Sequence, residues 1–166
     1  VADGKVRNLT EGVDGKFGHP YERPLWSADG EHIFCFGASN LWQISIKDGY
    51  YRNLTKGLKR NITAIVHEND GNIVWSPHDR SSVTVQTQNS ETKQMGFYQI
   101  DLTSGNGNVL VEENRCYGGI SSGGIFSVDV KNDRIVYIAE DAKNPPNFWL
   151  VSSDFQNRHK LTNLNP

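Results

Sequence analysis

The chain has 166 residues, with 17 basic and 19 acidic side chains and a net charge of −2. This balance, without a broad basic patch, disfavours a nucleic-acid partner. No apolar run approaches the roughly 18 residues that a membrane helix needs, so we expect no membrane partner either. The chain does not begin with Met and shows no signal peptide, which fits a mature or excised segment and indicates no compartment.

The first predicted element is the tail of a repeat at residues 1–10, which ends in Arg-Asn-Leu-Thr. The same four residues return at 52–55, and the related phrase His-Lys-Leu-Thr occupies 159–162. A looser copy, Leu110-Val111, stands between them. Successive leucines of these phrases are 45, 56 and 51 residues apart, and self-similarity at such periods is typical of stacked supersecondary units.

Residues 26–36 combine an aromatic strand end, an Asp-Gly turn and a short apolar run. Residues 75–85 and 128–138 repeat this arrangement, with a connection one residue longer in the middle copy. Apolar runs bounded by turn residues predict paired strands. Trp26 and Trp75 share one repeat position in this alignment, and we expect such repeated aromatics to pack in the core.

A hairpin of fixed length follows in each repeat, at residues 42–54, 98–110 and 149–161. An aromatic residue opens it and a leucine closes it twelve residues later. Apolar and polar residues alternate in the first two copies, which predicts strands with one buried face. Short polar turns, with Gly, Asp or Ser, join the two strands.

Four strands per repeat of roughly 50 residues is the plan of a propeller blade. We therefore predict an all-β fold, a single β-propeller segment of three four-stranded blades. The blades would span residues 11–55, 56–111 and 112–166, and residues 1–10 would end a preceding blade. No window of a dozen residues shows the 3.6-residue apolar period of a helix.

The predicted number of blades leaves two flanks of the assembly open. Propellers typically close with four to eight blades, and an open blade exposes unpaired strand edges. We expect that this chain is a piece of a longer one. The alternative is that copies self-associate through their open blade edges.

Two segments resemble a known family. Residues 26–36 are similar to the W-S-P-D-G box of the propellers in TolB and in prolyl oligopeptidase family peptidases, with Ala28 in place of the usual Pro. Residues 144–151, which begin Asn-Pro-Pro, and residues 158–166, which end Leu-Asn-Pro, resemble the last blade of dipeptidyl and acylaminoacyl peptidases of that family. There, P-P-x-L-Y opens the final hairpin and L-T-x-x-N-P closes it.

The resemblance implies that this chain is the C-terminal part of a non-catalytic propeller. In that family the propeller caps the active site, screens out large folded substrates and helps to hold the amino end of the peptide substrate. An α/β-hydrolase domain with the Ser-His-Asp triad would begin after Pro166, outside this chain. Glu112 and Glu113 resemble the paired glutamates that anchor an amino terminus in dipeptidyl peptidases, but they lack that family's surrounding helix, and a solvated strand end is the default interpretation.

Two other functions fit the repeats. A TolB-like propeller for protein–protein binding is compatible with the Trp-Ser-x-Asp-Gly box, although the Pro-Pro and Leu-Thr ending does not favour it. A ligand-binding or glycan-binding propeller would need exposed aromatic side chains. In each of these readings we expect no catalytic residue, cofactor or metal in this chain.

The remaining motifs favour structural explanations. Gly-Ile-Ser-Ser-Gly at 119–123 fits a nucleophile pattern, but a strand is expected after it where a nucleophile elbow needs a helix. We predict a Gly-rich loop between blades. The five histidines lack zinc-ligand spacing, residues 68–71 lack the distant Glu of a calcium loop, and residues 105–107 lack the third Gly of a dinucleotide loop.

Cysteines and possible glycan sites give little functional information. Cys35 lies in an apolar strand, and a buried thiol is favoured over a disulfide with Cys116, 81 residues away. Asn-x-Thr sequences occur at Asn8, Asn53 and Asn61. Two of them belong to the repeat phrase, so strand-end hydrogen bonding is favoured over glycan attachment.

Overall fold

The computed structural model describes residues 4, 6–9, 23–37, 39–69, 71–77, 80–118 and 126–164. This part of the chain contains strands joined by turns, and within it no helix is long and apolar enough to cross a membrane. The strands are β1 (Leu25–Trp26), β2 (His32–Gly37), β3 (Asn40–Ser45), β4 (Tyr51–Asn53), β5 (Arg60–Ile65), β6 (Ser82–Asn89), β7 (Met95–Asp101), β8 (Gly107–Glu113), β9 (Cys116–Tyr117), β10 (Phe126–Asp129), β11 (Arg134–Asp141), β12 (Asn144–Ser152) and β13 (His159–Lys160).

These strands form three antiparallel sheets in chain order. The first sheet has the order β1-β2-β3-β4 and the second β5-β6-β7-β8. The third has the order β10-β11-β12-β13, and β9 also pairs with β11. The predicted all-β fold with four-stranded blades is confirmed, whereas the limits assigned to each unit stay a prediction. Residues 6–9, in the expected tail of a preceding blade, form no strand.

Two hydrophobic clusters join neighbouring sheets. Alternate residues of a strand point to opposite faces, so each sheet can contribute to both of its neighbours. The cluster between the first and second sheets contains Leu25, Phe34, Leu41, Leu54, Ile62, Val74, Val83, Val85 and Ile100. The cluster between the second and third contains Val66, Trp75, Phe97, Tyr117, Val128, Ile135, Tyr137, Ala139, Val151 and Phe155.

The aligned tryptophans Trp26 and Trp75 are not equivalent in the structure. Trp75 is fully buried between the second and third sheets, whereas Trp26 is 45% exposed. Leu25, the neighbour of Trp26, packs toward the second sheet. The expectation that both tryptophans pack in the core was therefore wrong for Trp26. The two residues lie in different local structures, because Trp26 ends β1, whereas Trp75 follows the isolated bridge between His67 and Val74 and belongs to no strand.

The repeated Leu-Thr phrase has a structural role at the end of the fourth strand. In the first sheet, the Leu41 amide donates to Thr55 Oγ1 at 3.0 Å, and that hydroxyl donates to Asn40 Oδ1 at 3.1 Å. The Leu54 amide donates to the Leu41 carbonyl at 2.8 Å. We call the hydrogen-bonded Asn40 and Thr55 the Asn–Thr pair. It links the end of the hairpin to its beginning.

The third sheet repeats the Asn–Thr pair. The Phe148 amide donates to Thr162 Oγ1 at 2.9 Å, and Thr162 Oγ1 donates to Asn147 Oδ1 at 3.2 Å. The Leu161 amide donates to the Phe148 carbonyl at 2.8 Å, as in the first sheet. The similarity of the two phrases therefore follows from a shared set of hydrogen bonds.

The second sheet replaces the Asn–Thr pair with a bulge. Gly96 and Val111 stand where the other sheets have Asn and Thr, and the register of β7 with β8 shifts between Phe97 and Tyr98. A Cβ atom on Gly96 would lie 1.8 Å from the Val111 carbonyl oxygen. The missing side chain thus lets β8 approach closely, and β8 continues to Glu113.

Candidate functional site

Glu112 forms an ion pair across the face of the second sheet. The Arg60 guanidinium on β5 donates to Glu112 Oε2 from Nε at 3.0 Å and from Nη2 at 2.7 Å. Asn89 Nδ2 on β6 donates to Glu112 Oε1 at 2.9 Å. Both charged side chains are 17% exposed. Each carboxylate oxygen of Glu112 thus already accepts hydrogen bonds from the same sheet.

Glu113 points to the third sheet. Its Oε1 accepts a hydrogen bond from the Tyr117 hydroxyl at 2.5 Å and another from Arg158 Nη1 at 3.1 Å. Arg115 Nη1 lies 3.7 Å from the same oxygen, and Arg115 Nη2 also pairs with Asp141 at 3.4 Å. Glu113 therefore joins the last strand of the second sheet to the third sheet.

Burial changes the pKa of Tyr117, the tyrosine that is hydrogen-bonded to Glu113. Tyr117 is almost fully buried, and burial raises the pKa of its hydroxyl well above the usual range, with a smaller contribution from the hydrogen bond to Glu113. The Tyr117 hydroxyl is thus held as a neutral hydrogen-bond donor, which suits an anionic Glu113 beside it.

Two arginines of these networks occupy matching places. Arg60 begins β5 and lies over the Tyr98 ring, 5.4 Å from its centroid. Arg115 directly precedes β9 and lies over the Trp149 ring at 5.1 Å. Tyr98 and Trp149 share a repeat position, so a cation–π contact recurs in the second and third sheets. The recurrence indicates a packing role for both arginines.

The structure places Glu112 and Glu113 side by side in β8, and their carboxylates meet different partners. Strand geometry sends consecutive side chains to opposite faces, which matches the separate contacts to Arg60 and to Arg158. These contacts give each glutamate a structural role. The anchoring of a peptide amino terminus by the pair stays a prediction.

A cleft of 430 Å³ lies between the first and second sheets, beside their strand-connecting turns. We call it the intersheet cleft. Sequence reasoning did not single it out, because its residues come from four separate turns and strands. Its lining includes Asp29, His32, Tyr50, Arg52, Arg80 and Thr103 around the apolar side chains of Phe34, Val74 and Leu102.

The first turn at this cleft is held by its own side chains. The Ser27 hydroxyl donates to Asp29 Oδ1 at 2.5 Å, and the Glu31 amide donates to the same oxygen at 2.9 Å. These hydrogen bonds, that of Ser27 first, lower the pKa of Asp29. Asp29, Glu31 and His32 place possible ligand atoms within 4.8 Å of one another, but the hydrogen bonds of Asp29 assign it to the turn.

The other sequence motifs fall in different parts of the structure. The Gly-Ile-Ser-Ser-Gly pattern at 119–123 lies outside the described residues. The flanking strands β9 and β10 both pair with β11, so the chain on either side belongs to one sheet. Cys35 and Cys116 are both free thiols, and burial raises the pKa of Cys35.

The similarities of the chain to known proteins lie in its fold. No family model matches the chain, and no curated protein matches it. A solved structure described as TolB from Agrobacterium tumefaciens matches with a TM-score of 0.61 and 16% identity, over 94% of this chain and 52% of that chain. An oligogalacturonate lyase, solved in complex with manganese, matches with a TM-score of 0.59 and 14% identity, over 84% of this chain and 39% of that one.

A peptidase is also among the similar structures. Dipeptidyl peptidase 4 from Porphyromonas gingivalis matches with a TM-score of 0.54 and 12% identity, over 92% of this chain and 26% of that chain. This chain thus spans about half, or less, of the proteins that it resembles. At these identities the likeness is one of fold, and the fold is that of β-propeller domains.

Proposed function

We propose that this chain is a non-catalytic propeller segment of a prolyl oligopeptidase-family serine peptidase. It would gate the access of peptide substrates and position them for a hydrolase domain outside this chain. The observation that carries the proposal is the hydrogen-bonded unit around Asn147, because this unit contains the residues that resemble the final blade of those peptidases.

Asn147 connects the two segments that resemble the final blade, residues 144–151 and 158–166. The residue is buried, its Nδ2 donates to the Pro145 carbonyl at 2.8 Å, and its Oδ1 accepts hydrogen bonds from Thr162 Oγ1 and from the Leu164 amide at 2.9 Å. The Pro-Pro segment and the Leu-Thr segment therefore hold each other in place. Such a unit fixes the direction in which the chain leaves the third sheet, as a rigid connection to a hydrolase domain requires.

Apolar side chains of the third sheet are more exposed than their counterparts in the other repeats, which supports the proposal that this chain is part of a larger assembly. Leu41 and Phe97 are fully buried against the following sheet, whereas Phe148 at the same repeat position is 38% exposed. Leu54 is 6% exposed and its counterpart Leu161 is 52% exposed. The position of Phe148, which is buried in the two preceding repeats, is suited to burial here as well, by a further part of the parent chain or by another copy.

A second candidate function is a TolB-like propeller that binds other proteins. The fold similarity to TolB, with a TM-score of 0.61 over 94% of this chain, favours this candidate. It would need no hydrolase domain. The Asn147 unit would then serve only to close the last sheet.

The test is to recover the native polypeptide with an antibody against this segment and treat it with a fluorophosphonate serine-hydrolase probe. Our proposal predicts a polypeptide several-fold larger than 18.6 kDa that the probe labels. The proposal also predicts that this polypeptide cleaves short peptides faster than the same sequence within a folded protein. An unlabelled native polypeptide would overturn the proposal in favour of the binding propeller.

A further inference from the structure

One turn of the second sheet carries an arginine in an unfavourable backbone conformation. The turns between the first and second strands contain Gly30 with φ 73° in the first sheet, Arg80 with φ 60° in the second, and Asp133 with φ 50° in the third. Gly and Asp tolerate this left-handed region, whereas a long side chain is disfavoured there. Residues held in such conformations cluster at functional sites, which makes Arg80 a candidate binding residue.

The Arg80 side chain lines the intersheet cleft. Among the described residues, none forms a hydrogen bond or an ion pair with its guanidinium. A guanidinium offers five N–H donors and no acceptor. An unpaired guanidinium at a cleft is suited to an anionic ligand from solution.

Arg52 presents a second guanidinium to the same cleft, in a fixed orientation. Its Nε donates to Gln43 Oε1 at 2.7 Å, and its Nη1 donates to the Thr103 carbonyl at 3.2 Å. The acceptors of these two hydrogen bonds lie one in each sheet, and Nη2 has no hydrogen-bond partner among the described residues, so it can donate to a ligand. The cleft therefore combines one preorganised guanidinium with one that pairs with no residue of the described part of the chain.

The opposite charge in the cleft restricts the ligand. Asp29 also lines it, and the hydrogen bond from Ser27 keeps its pKa low, so this carboxyl is anionic at neutral pH. Two guanidinium groups and this one carboxylate leave a single net positive charge in the cleft, which a singly charged carboxylate ligand neutralises. The partly exposed side chain of Leu102 adds an apolar surface for a nonpolar group.

We propose that the intersheet cleft binds a carboxylate of a peptide, with Arg80 and Arg52 as donors and with a neighbouring apolar side chain against Leu102. The peptide part of this assignment rests on the proposed function, whereas the carboxylate part rests on the cleft alone. The carboxylate could be a peptide C-terminus or an acidic side chain.

The test is a saturation-transfer NMR titration that observes the peptide, because this readout tolerates any state of association of the chain. Three probes are used: N-acetyl-Gly-Phe with a free C-terminus, the same peptide as its amide, and N-acetyl-Asp-Phe amide. We expect at least one carboxylate peptide to bind about tenfold more tightly than the neutral amide, a ratio that one charge-assisted contact provides. The tighter of the two carboxylate peptides identifies the source of the carboxylate.

Variants locate the site. Arg80→Gly accepts φ 60° without strain, and Arg80→Asn is a second variant that tolerates this conformation. Both should keep the thermal midpoint of the parent chain and lose most of the preference for carboxylate. Arg134→Gln, which removes an exposed arginine from the third sheet, is the matched control and should keep the preference.

Equal binding of the acid and amide peptides would overturn the assignment, as would an undiminished preference in folded Arg80→Gly and Arg80→Asn variants. The outcome is separable from that of the proposed function. A native polypeptide that the serine-hydrolase probe does not label refutes the peptidase proposal, while a carboxylate preference that depends on Arg80 would still establish the cleft as a binding site.

Discussion

Replacement of Thr55 by Val tests the role of the Asn–Thr pair with an almost isosteric change. The Thr55 hydroxyl accepts the Leu41 amide hydrogen and donates to Asn40 Oδ1, and Leu41 is fully buried. Val at position 55 leaves that amide without its acceptor in a site that water does not reach. An unsatisfied buried donor costs about 1–3 kcal/mol, and the added methyl group offsets roughly 0.8 kcal/mol of this.

We therefore expect Thr55→Val to lower the free energy of unfolding by about 1–2 kcal/mol. For a chain of this size that corresponds to a decrease of roughly 2–8 °C in the thermal midpoint. Urea denaturation followed by tryptophan fluorescence measures the free energy, and a thermal melt followed by circular dichroism measures the midpoint.

Thr162→Val is the matched control, because Thr162 makes the same hydrogen bonds at a more exposed position. Water can replace its hydroxyl there, so the loss should be smaller than that of Thr55→Val. The reasoning is refuted if Thr55→Val stays within the about 0.5 kcal/mol range of ordinary surface substitutions, or if Thr162→Val is the more damaging variant.

Three further predictions concern the second sheet and its contacts. Gly96→Ala should lower the free energy of unfolding by about 2–3 kcal/mol, because its Cβ would lie 1.8 Å from the Val111 carbonyl oxygen and the backbone must move. An unchanged urea denaturation curve would contradict the bulge geometry. Glu112→Gln should lower the free energy of unfolding by about 1–2 kcal/mol, because it weakens the ion pair with Arg60. Unchanged stability together with weaker peptide binding would instead favour a role of Glu112 in anchoring a peptide amino terminus. Since the folded state raises the pKa of Tyr117, this residue stabilises the fold below the unfolded pKa of about 10. The free energy of unfolding should therefore fall as pH rises above that value, and it should fall less steeply in Tyr117→Phe. Parallel pH profiles of the two proteins would argue against a buried hydroxyl.

The fold could be predicted from the sequence because each repeat shows the same strand periodicity and the same kinds of turn residue. The twelve-residue hairpins, their alternation and the Leu-Thr phrases all depend on local geometry that a single blade already imposes. The failure at Trp26 has an equally local cause. Trp26 ends β1, whereas its counterpart Trp75 follows an isolated bridge and belongs to no strand, and alignment by similarity does not reveal this difference.

The candidate site was less accessible to sequence reasoning. Glu112 and Glu113 stood out as an acidic pair, but their partners Arg60 and Arg158 are 52 and 45 residues away in the chain, so only the packing of the sheets identifies them. The intersheet cleft likewise combines separate turns. One available signal was the arginine at position 80, where the corresponding turn of the first sheet has glycine.

The third sheet has one apolar face that we expect another part of a larger propeller to cover. Val136 pairs with Leu150 and Ile138 with Phe148, so four apolar side chains share that face. Sedimentation equilibrium of the 166-residue chain tests this directly. We predict association well above the 18.6 kDa monomer, reduced by Phe148→Glu; a compact and stable monomer with this face uncovered would contradict the account.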